Sequence, residues 1–551
     1  MLHISLHRDT SMITKQTAIN YDHLADNTPI LIGIGQHLLQ KYPSEIENFQ
    51  SPADLAAVAA INALADAGIS SAVTEIDTIA CVRLFCDSTP LWPSPFGASN
   101  NLPESISRRI GASPKHRVYS EVGGTQPIQL MAEMFQALAK NEKQLVLLSG
   151  VEAIGTQKFA HKLGINLDWR EDYADVELED RGYGKSFVAD VETHNGLTLP
   201  IYYYSLIENM RAINAGSSLN EHAETMAQMW APFSKRAAEN PYAQFPQAFT
   251  TQELLVEQKN NYRLTIPYTK RFVSQDAVNQ SAALLLTTVG KAKSLKIDST
   301  KWVFLHGYAE AYDAPVYLRP NVGRSAAMAK VIEETLKIAD TTVADIDHFE
   351  IYSCFPCAVS SACEVLDLPT DGSVPLTQTG GLPFFGGPGN NYSMHGIAEM
   401  VNTLRRQPDD YGLVTTNGGM LSKHAAGVFS CQPHSVSGKK LDWSKITLSS
   451  YTAADFPSCT PAVIAQGKPH RESLSEQLSA PQKAKVISFT VIYARNEANC
   501  CVVIAENEKG ERFVAQSTET EVIAAAQSVA PFGRAIIVTA KAKENHFVFF
   551  D

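Results

Sequence analysis

The sequence predicts an α/β protein built from two tandem units, with an irregular insertion in the first unit and a small OB-like β-barrel at the C-terminus. Three observations predict it. Short apolar strands alternate with amphipathic helices from residue 29 onward, the pattern of a mainly parallel sheet covered by helices. The same plan starts again near residue 302, as an internal duplication would give. Beyond residue 485, five short runs of period-two alternation follow one another with no long helix between them, which is small-barrel patterning.

In chain order, ILIGIGQ (30–36) is a buried strand. SPADLAAVAAINALADAG (51–68) is a helix, with Ser51 as its cap, Pro52 in its first turn and Gly68 as its stop. EIDTIACVRLF (75–85) is a strand, ESISRRIG (104–111) a short helix and HRVYSEVG (116–123) a strand. TQPIQLMAEMFQALAKNE (125–142) is a helix and QLVLLSGVEA (144–153) a strand. From about 154 to 275 the period is lost among clusters such as IYYYSLIENM, and SAALLLTT (281–288) closes the unit with a strand. The second unit reads strand 302–311, helix 323–340, strand 347–354, helices 356–368 and 392–407, and strand 410–418. Residues 434–482 read as a linker or cover. The resulting divisions are an extension (1–28), a first unit (29–290), a second unit (291–433), the linker and a barrel domain (483–551).

Composition narrows the function. The 551 residues are 44% hydrophobic and 19% charged, as in an ordinary globular protein. A formal charge of −12 supplies no basic field for nucleic acid or anionic lipid. No uninterrupted run of about 18 apolar residues predicts a membrane span, and MLHISLHRDTSMITKQ has no core of signal-peptide length. The nine cysteines include one CxxC, Cys354-Phe-Pro-Cys357, and no zinc-type pairing of such units, which fits a reducing, cytoplasmic compartment and no metal.

The residues able to carry chemistry gather at strand ends and glycine turns. These are VYSEVGGTQP (118–127), EIYSCFPCAV (350–359), GGLPFFGGPGNNYSMHG (380–396) and NGGMLSKHA (417–425). A strand end feeding a helix N-terminus offers free N–H groups and a positive dipole end to an anion. Turns of this kind converging from two halves form an active site in a duplicated α/β protein.

On these motifs and their order the chain resembles the thiolase superfamily over roughly 29–433. The resemblance implies a duplicated thiolase fold with αβαβα layers and an inserted loop domain at about 154–275. It also implies action on acyl-CoA thioesters, with CoA or acyl-CoA as substrate and nothing permanently bound. EIYSCF corresponds to a strand end that reads His-Asp-Cys-Phe in sterol-carrier-type thiolases, so Tyr352 stands at the oxyanion-hole position while Cys354 and Phe355 match. Gly387 stands at the histidine of GGL…GHP, Glu121 or Val122 at the reactive cysteine, and Thr416 or Asn417 at the second cysteine. The added barrel places the chain near thiolase-like proteins labelled acetyl-CoA acetyltransferases.

All four chemical positions therefore depart from a mechanism that needs a thiolate, a proton-accepting histidine and oxyanion donors. Two expectations follow. In the first, an acyltransferase survives with relocated groups. Cys354 is its nucleophile or acid/base with a lowered pKa, His395 replaces the lost histidine, and Tyr352 and Glu121 assist. In the second, the fold keeps a cleft that binds acyl-CoA, or serves as a scaffold, without the chemistry. The turns Gly123, Gly124, Gly387, Asn390, Asn391, Asn417, Gly418 and Gly419 are the expected oxyanion or substrate contacts. Lys423 and His424 are the expected contacts to a CoA phosphate, with surface solvation as the alternative. Glu121 is expected to share a strand face with Tyr119. Lipid metabolism is the implied setting, and a homodimer or a partner subunit the implied assembly.

Overall fold

A computed structural model describes residues 19–42, 45, 48–90, 93–186, 188–462 and 481–550. The expected extension (1–28) and linker (434–482) therefore lie partly outside the described residues.

The first sheet holds β1 (Pro29–Leu38), β2 (Thr78–Cys81), β3 (His116–Tyr119), β4 (Leu145–Glu152), β5 (Glu179–Asp180) and β6 (Gln280–Thr288), in the order β1-β6-β4-β2-β3-β5. It is mixed rather than mainly parallel, because β6 returns antiparallel between β1 and β4 while β4, β2, β3 and β5 run parallel. Three helices serve this half: α1 (Pro52–Asp66), α2 (Leu102–Ile110) and α3 (Gln126–Ala139). The Ser51 hydroxyl accepts from the Asp54 N–H while the Asp54 carboxylate accepts from the Ser51 N–H, the capping box that starts α1.

The insertion contains α4 (Ile154–Leu163), α5 (Asp190–His194), α6 (Pro200–Asn214), α7 (Leu219–Glu239) and α8 (Thr251–Leu255). The second half follows with α9 (Val289–Ser294), β7 (Phe304–Tyr312), α10 (Ala326–Ala339), β8 (His348–Glu350), α11 (Pro356–Leu366), α12 (Tyr392–Arg406), β9 (Tyr411–Gly418), β10 (Lys423–Ser430) and β11 (Ser449–Tyr451). Its sheet runs β11-β7-β10-β9-β8. Two elements differ from the sequence reading. Residues 423–430 form a buried strand antiparallel to β9 rather than the tail of a glycine turn. Part of the expected linker belongs to the body, since Trp443 is buried against Phe135 and β11 adds an edge strand beside β7.

Helices α3 and α12 pack on each other between the two sheets, α1 and α2 cover the outside of the first, and α10 and α11 cover the outside of the second. The result is five layers, αβαβα. Because the two central helices are buried all round, their N-termini, at Gln126 and Tyr392, bring one turn from each half together at the middle of the molecule.

At the C-terminus β12 (Gln482–Ala494), β13 (Glu497–Asn507), β14 (Arg512–Ser517), β15 (Ala535–Lys541) and β16 (Glu544–Phe549) close into a barrel in the order β12-β13-β14-β16-β15. The short helix α13 (Thr520–Ser528) joins the third strand to the fourth. Phe489, Phe513 and Phe547 fill its core. The barrel rests on the insertion: Ile266 N–H donates to Val491 O at 2.9 Å, Tyr493 N–H to Leu264 O at 3.0 Å, and Asn209 Nδ2 to Phe489 O at 2.8 Å.

Candidate functional site

The turn before α3 is held from the opposite half at three successive residues. Lys423 Nζ donates to Val122 O at 2.7 Å, Gly123 N–H to Asn390 Oδ1 at 3.1 Å, and Ser393 Oγ to Gly124 O at 2.7 Å. A side chain at Gly124 would run into Asn417 O and would place its Cβ 2.6 Å from the Tyr352 hydroxyl. The space in front of the turn is thus filled by protein. Glu121 lies past the end of β3, so strand alternation no longer sets its direction, and it packs half-buried against Gly184 of the insertion. Tyr119 points elsewhere, donating to Asp87 Oδ2 at 2.6 Å.

Tyr352 and Cys354 follow β8 and are both buried. The Tyr352 ring stands edge-on to Tyr392, with centroids 5.4 Å apart, and its hydroxyl is aimed at Gly124. Asn417 Nδ2 lies 3.4 Å from Cys354 Sγ. Burial pushes the Cys354 thiol up to about 12, because desolvation of the thiolate outweighs the hydrogen bonds from Tyr204 and Asn417. The expectation of a thiol pKa lowered by the helix terminus is therefore reversed.

His395 is fully buried on α12. Its Nδ1 pairs with Gln36 Oε1 at 2.7 Å, and Gln36 Nε2 donates to Glu399 Oε1 at 2.7 Å. Burial pushes its pKa down to about 3. Among the described residues no hydrogen bond joins it to Cys354. The imidazole faces β1 and the edge of Phe385, so the sequence-predicted pair is not assembled. At Gly387 the N–H donates to Gln275 O at 2.8 Å, and a Cβ would collide with Ser274 Oγ, so the structure leaves no room for the histidine of the family motif.

The amides divide by role. Asn390 bridges the turn to the segment after β2, its Oδ1 accepting from Gly123 N–H and its Nδ2 donating to Arg83 O and Ser88 Oγ at 2.9 Å each. Asn391 is buried against Gly150 with no protein partner for its amide among the described residues. Asn417 is the last residue but one of β9, Gly418 ends it and touches Gly124, and Gly419 makes the exposed tip with φ +60°. Lys423 and His424 are both buried in β10, which excludes the surface-solvation reading. His424 pairs with Ser325 and Leu421 O, while Lys423 clamps Val122.

One central residue was not read from the sequence. Tyr204 of α6 stacks on Phe355 with centroids 4.2 Å apart. Its hydroxyl accepts from Asn417 Nδ2 at 2.8 Å and Leu421 N–H at 3.0 Å. The aromatic run IYYYSLIENM is the available signal, but nothing in it singles out the last of its three tyrosines.

Outside this junction a groove of about 440 Å³ opens between the insertion and the second half, lined by Phe245, Phe249, Lys270, Arg271, Gln275 and Phe384. Gln275 and Phe384 belong to the two segments that meet at Gly387. Among the described residues no group of three His, Cys, Asp or Glu is placed to hold a metal ion, and no helix is long and apolar enough to cross a membrane.

The fold matches that of a monomeric SCP2-thiolase-like protein type 1 from Mycobacterium smegmatis, with 30% identity, a TM-score of 0.76, and coverage of 96% of this chain and 100% of that one. The chain belongs to the thiolase superfamily. Its thiolase fold is shared more distantly with the Ltp2-ChsH2(DUF35) aldolase, at 16% identity, a TM-score of 0.53, and coverage of 74% of this chain and 98% of that one. It is also shared with the dimeric peroxisomal thiolase of Saccharomyces cerevisiae, at 13% identity, a TM-score of 0.52, and the same two coverages. No protein-family model and no curated protein matches the sequence. As a thiolase relative, the protein has a function related to acyl-CoA. Measured against a thiolase, it lacks a cysteine in the first turn and a histidine at Gly387, and the junction between its halves is closed by Tyr352, Asn417 and Ser274.

Proposed function

We propose that this thiolase relative binds acyl-CoA thioesters and does not transfer their acyl groups through a cysteine. The observation that carries the reading is the packing at Gly124 and Gly387. The volume a thiolate, a histidine and a thioester carbonyl would share holds Tyr352, Asn417 and Ser274 instead. Acyl transfer needs a thiolate that a base can form. Here the one cysteine matching a family motif has its thiol pushed up to about 12 and, among the described residues, no histidine bonded to it.

The open groove supports binding. Its volume is in the ~300–1,000 Å³ range of small-molecule sites, and Lys270 and Arg271 beside three phenylalanines suit a ligand with phosphates at one end and apolar length behind. The barrel's strand order, with a helix between the third and fourth strands, supports reading it as an OB-like domain, and Phe489, Phe513 and Phe547 are spent on its own core. We place the protein in the cytoplasm, in lipid metabolism, a setting that its unpaired cysteines suit. We also read it as a monomer. The β3 edge is taken by β5, which Arg83–Asp180 and Arg181–Glu133 pairs tie down, and the Mycobacterium smegmatis relative is described as monomeric.

The test is to titrate the pure protein calorimetrically with acetyl-CoA and with a longer acyl-CoA, then to incubate it with the labelled thioesters. Saturable binding with neither free CoA nor an acyl adduct by mass is expected. CoA release or an adduct that Cys354→Ala abolishes would overturn the proposal in favour of a relocated acyltransferase. Size-exclusion chromatography with light scattering checks the monomer.

A further inference from the structure

Behind the junction, between the second sheet and α10 and α11, lies a cavity of about 10 Å³. Its lining includes Asn417, His424, Tyr352, Thr415 and Ala426. Asn417 and His424 are directly opposite in the β9–β10 ladder, so their side chains lie on one face of the sheet.

The hydrogen bonds around His424 fix its proton. Ser325 Oγ has one hydrogen and gives it to Asp313 Oδ2 at 2.7 Å. His424 Nε2 lies 3.1 Å from that Oγ and 3.0 Å from Leu421 O, and neither can donate to it. Nε2 therefore carries the N–H. Burial, which pushes the His424 pKa down to about 4, keeps the ring neutral. Nδ1 is left as a bare acceptor. Asn417 spends Nδ2 on Tyr204 and Cys354, so Oδ1 is a second bare acceptor. Among the described residues no group donates to either atom.

Two buried acceptors on paired residues lining one cavity call for one partner with two donors, since a buried acceptor left unpaired is costly. A space of about 10–15 Å³ is what a single water needs. We propose that this cavity is a site for one water molecule, which donates one hydrogen to His424 Nδ1 and the other to Asn417 Oδ1. That water holds the Asn417 amide with its NH₂ toward Cys354 and Tyr204, and so fixes the last turn of the junction.

A crystal structure that orders interior water should show one peak within hydrogen-bond distance of both atoms. The second measurement is Ala426→Val, which fills the cavity from a neighbouring position on the same strand face. With the water present, the valine displaces it, strands two acceptors and lowers the thermal midpoint. In a dry cavity the same methyl groups raise the midpoint, which overturns the proposal. Should that variant fail to fold, the imidazole ¹⁵N spectrum of the unaltered protein decides. A hydrogen-bonded Nδ1 resonance supports the water, and the resonance of a free lone pair removes it.

Discussion

The junction between the two halves and the groove beside it lie within a few residues of each other along the 381–389 segment, yet they are built in opposite ways. At the junction, backbone meets backbone: Gly418 reaches Gly124, Tyr352 covers Gly124, and Ser274 takes the space beside Gly387. At the groove, Lys270, Arg271 and three phenylalanines border about 440 Å³ of open volume. The comparison separates two things a thiolase does in adjacent places, holding the ligand and reacting with it. On the function proposed above, the side that holds the ligand is open, and the side that would react is packed as a core.

The sharpest way to break this contrast is to reopen the junction by force. Gly124→Ala puts a methyl group into Asn417 O and the Tyr352 hydroxyl, and because one of those is backbone it cannot rotate aside. Overpacking of that kind costs about 3 kcal/mol, to be read from urea unfolding. A loss under about 0.5 kcal/mol would mean the junction is loose enough to admit a substrate.

Tyr204→Phe probes the same packing more gently. It removes the acceptor for Asn417 Nδ2 and Leu421 N–H while leaving the stack on Phe355. Two donors lose a buried partner, so about 2 kcal/mol of stability should go. Affinity for acyl-CoA should be unchanged if the groove works independently of the junction.

On the open side, the double change Lys270→Gln with Arg271→Gln should weaken acyl-CoA binding about tenfold, or ~1.4 kcal/mol, by calorimetry. Stability should shift little, because both side chains are only half-buried at the groove rim. Unaltered affinity would move the ligand away from this groove.

What the sequence makes legible follows from how local each signal is. The alternation of elements, the three glycine turns and the 350–359 strand end are each written in a short local stretch, and the barrel's five strands are all present. Strand β10 was not legible because KHAAGVFS follows a double glycine and is buried on both faces, leaving no period to detect. Helix α13 was missed because nine residues between two strands carry too little pattern. The chemistry was less visible still. Cys354 and His395 stand 41 positions apart in motifs that suggest partnership. What decides their roles is Tyr204 for one and Gln36 for the other, at sequence separations no motif spans.

A pH-dependent effect tests the floor on which the junction rests. Glu152 ends β4, accepts from Phe85 N–H at 2.6 Å and lies against Gly389, one residue before the Asn390 clamp. Burial pushes its pKa up to about 8 from 4.5. A raised carboxyl binds a proton in the folded state that the unfolded chain has released, so its stabilising contribution is complete below about pH 4.5 and is lost as pH rises toward 8. His395 and His424 act in the opposite sense. Their pKa values are lowered, so their contribution is complete above about 6.5 and is lost as pH falls toward 3 to 4. Between pH 6.5 and 8 the histidines are silent, and stability should fall with pH at up to about 1.4 kcal/mol per unit for each raised carboxyl. Glu192, raised by burial to about 7, contributes to the lower part of that window. Glu152→Gln keeps an acceptor for Phe85 and removes one titration, so urea unfolding at pH 6.5 and pH 8 should show a flatter slope than in the unaltered protein. An unchanged slope would mean that Glu152 is ionised in the fold and that the Asn390 turn sits on a charge reached by solvent, which would open the junction from below.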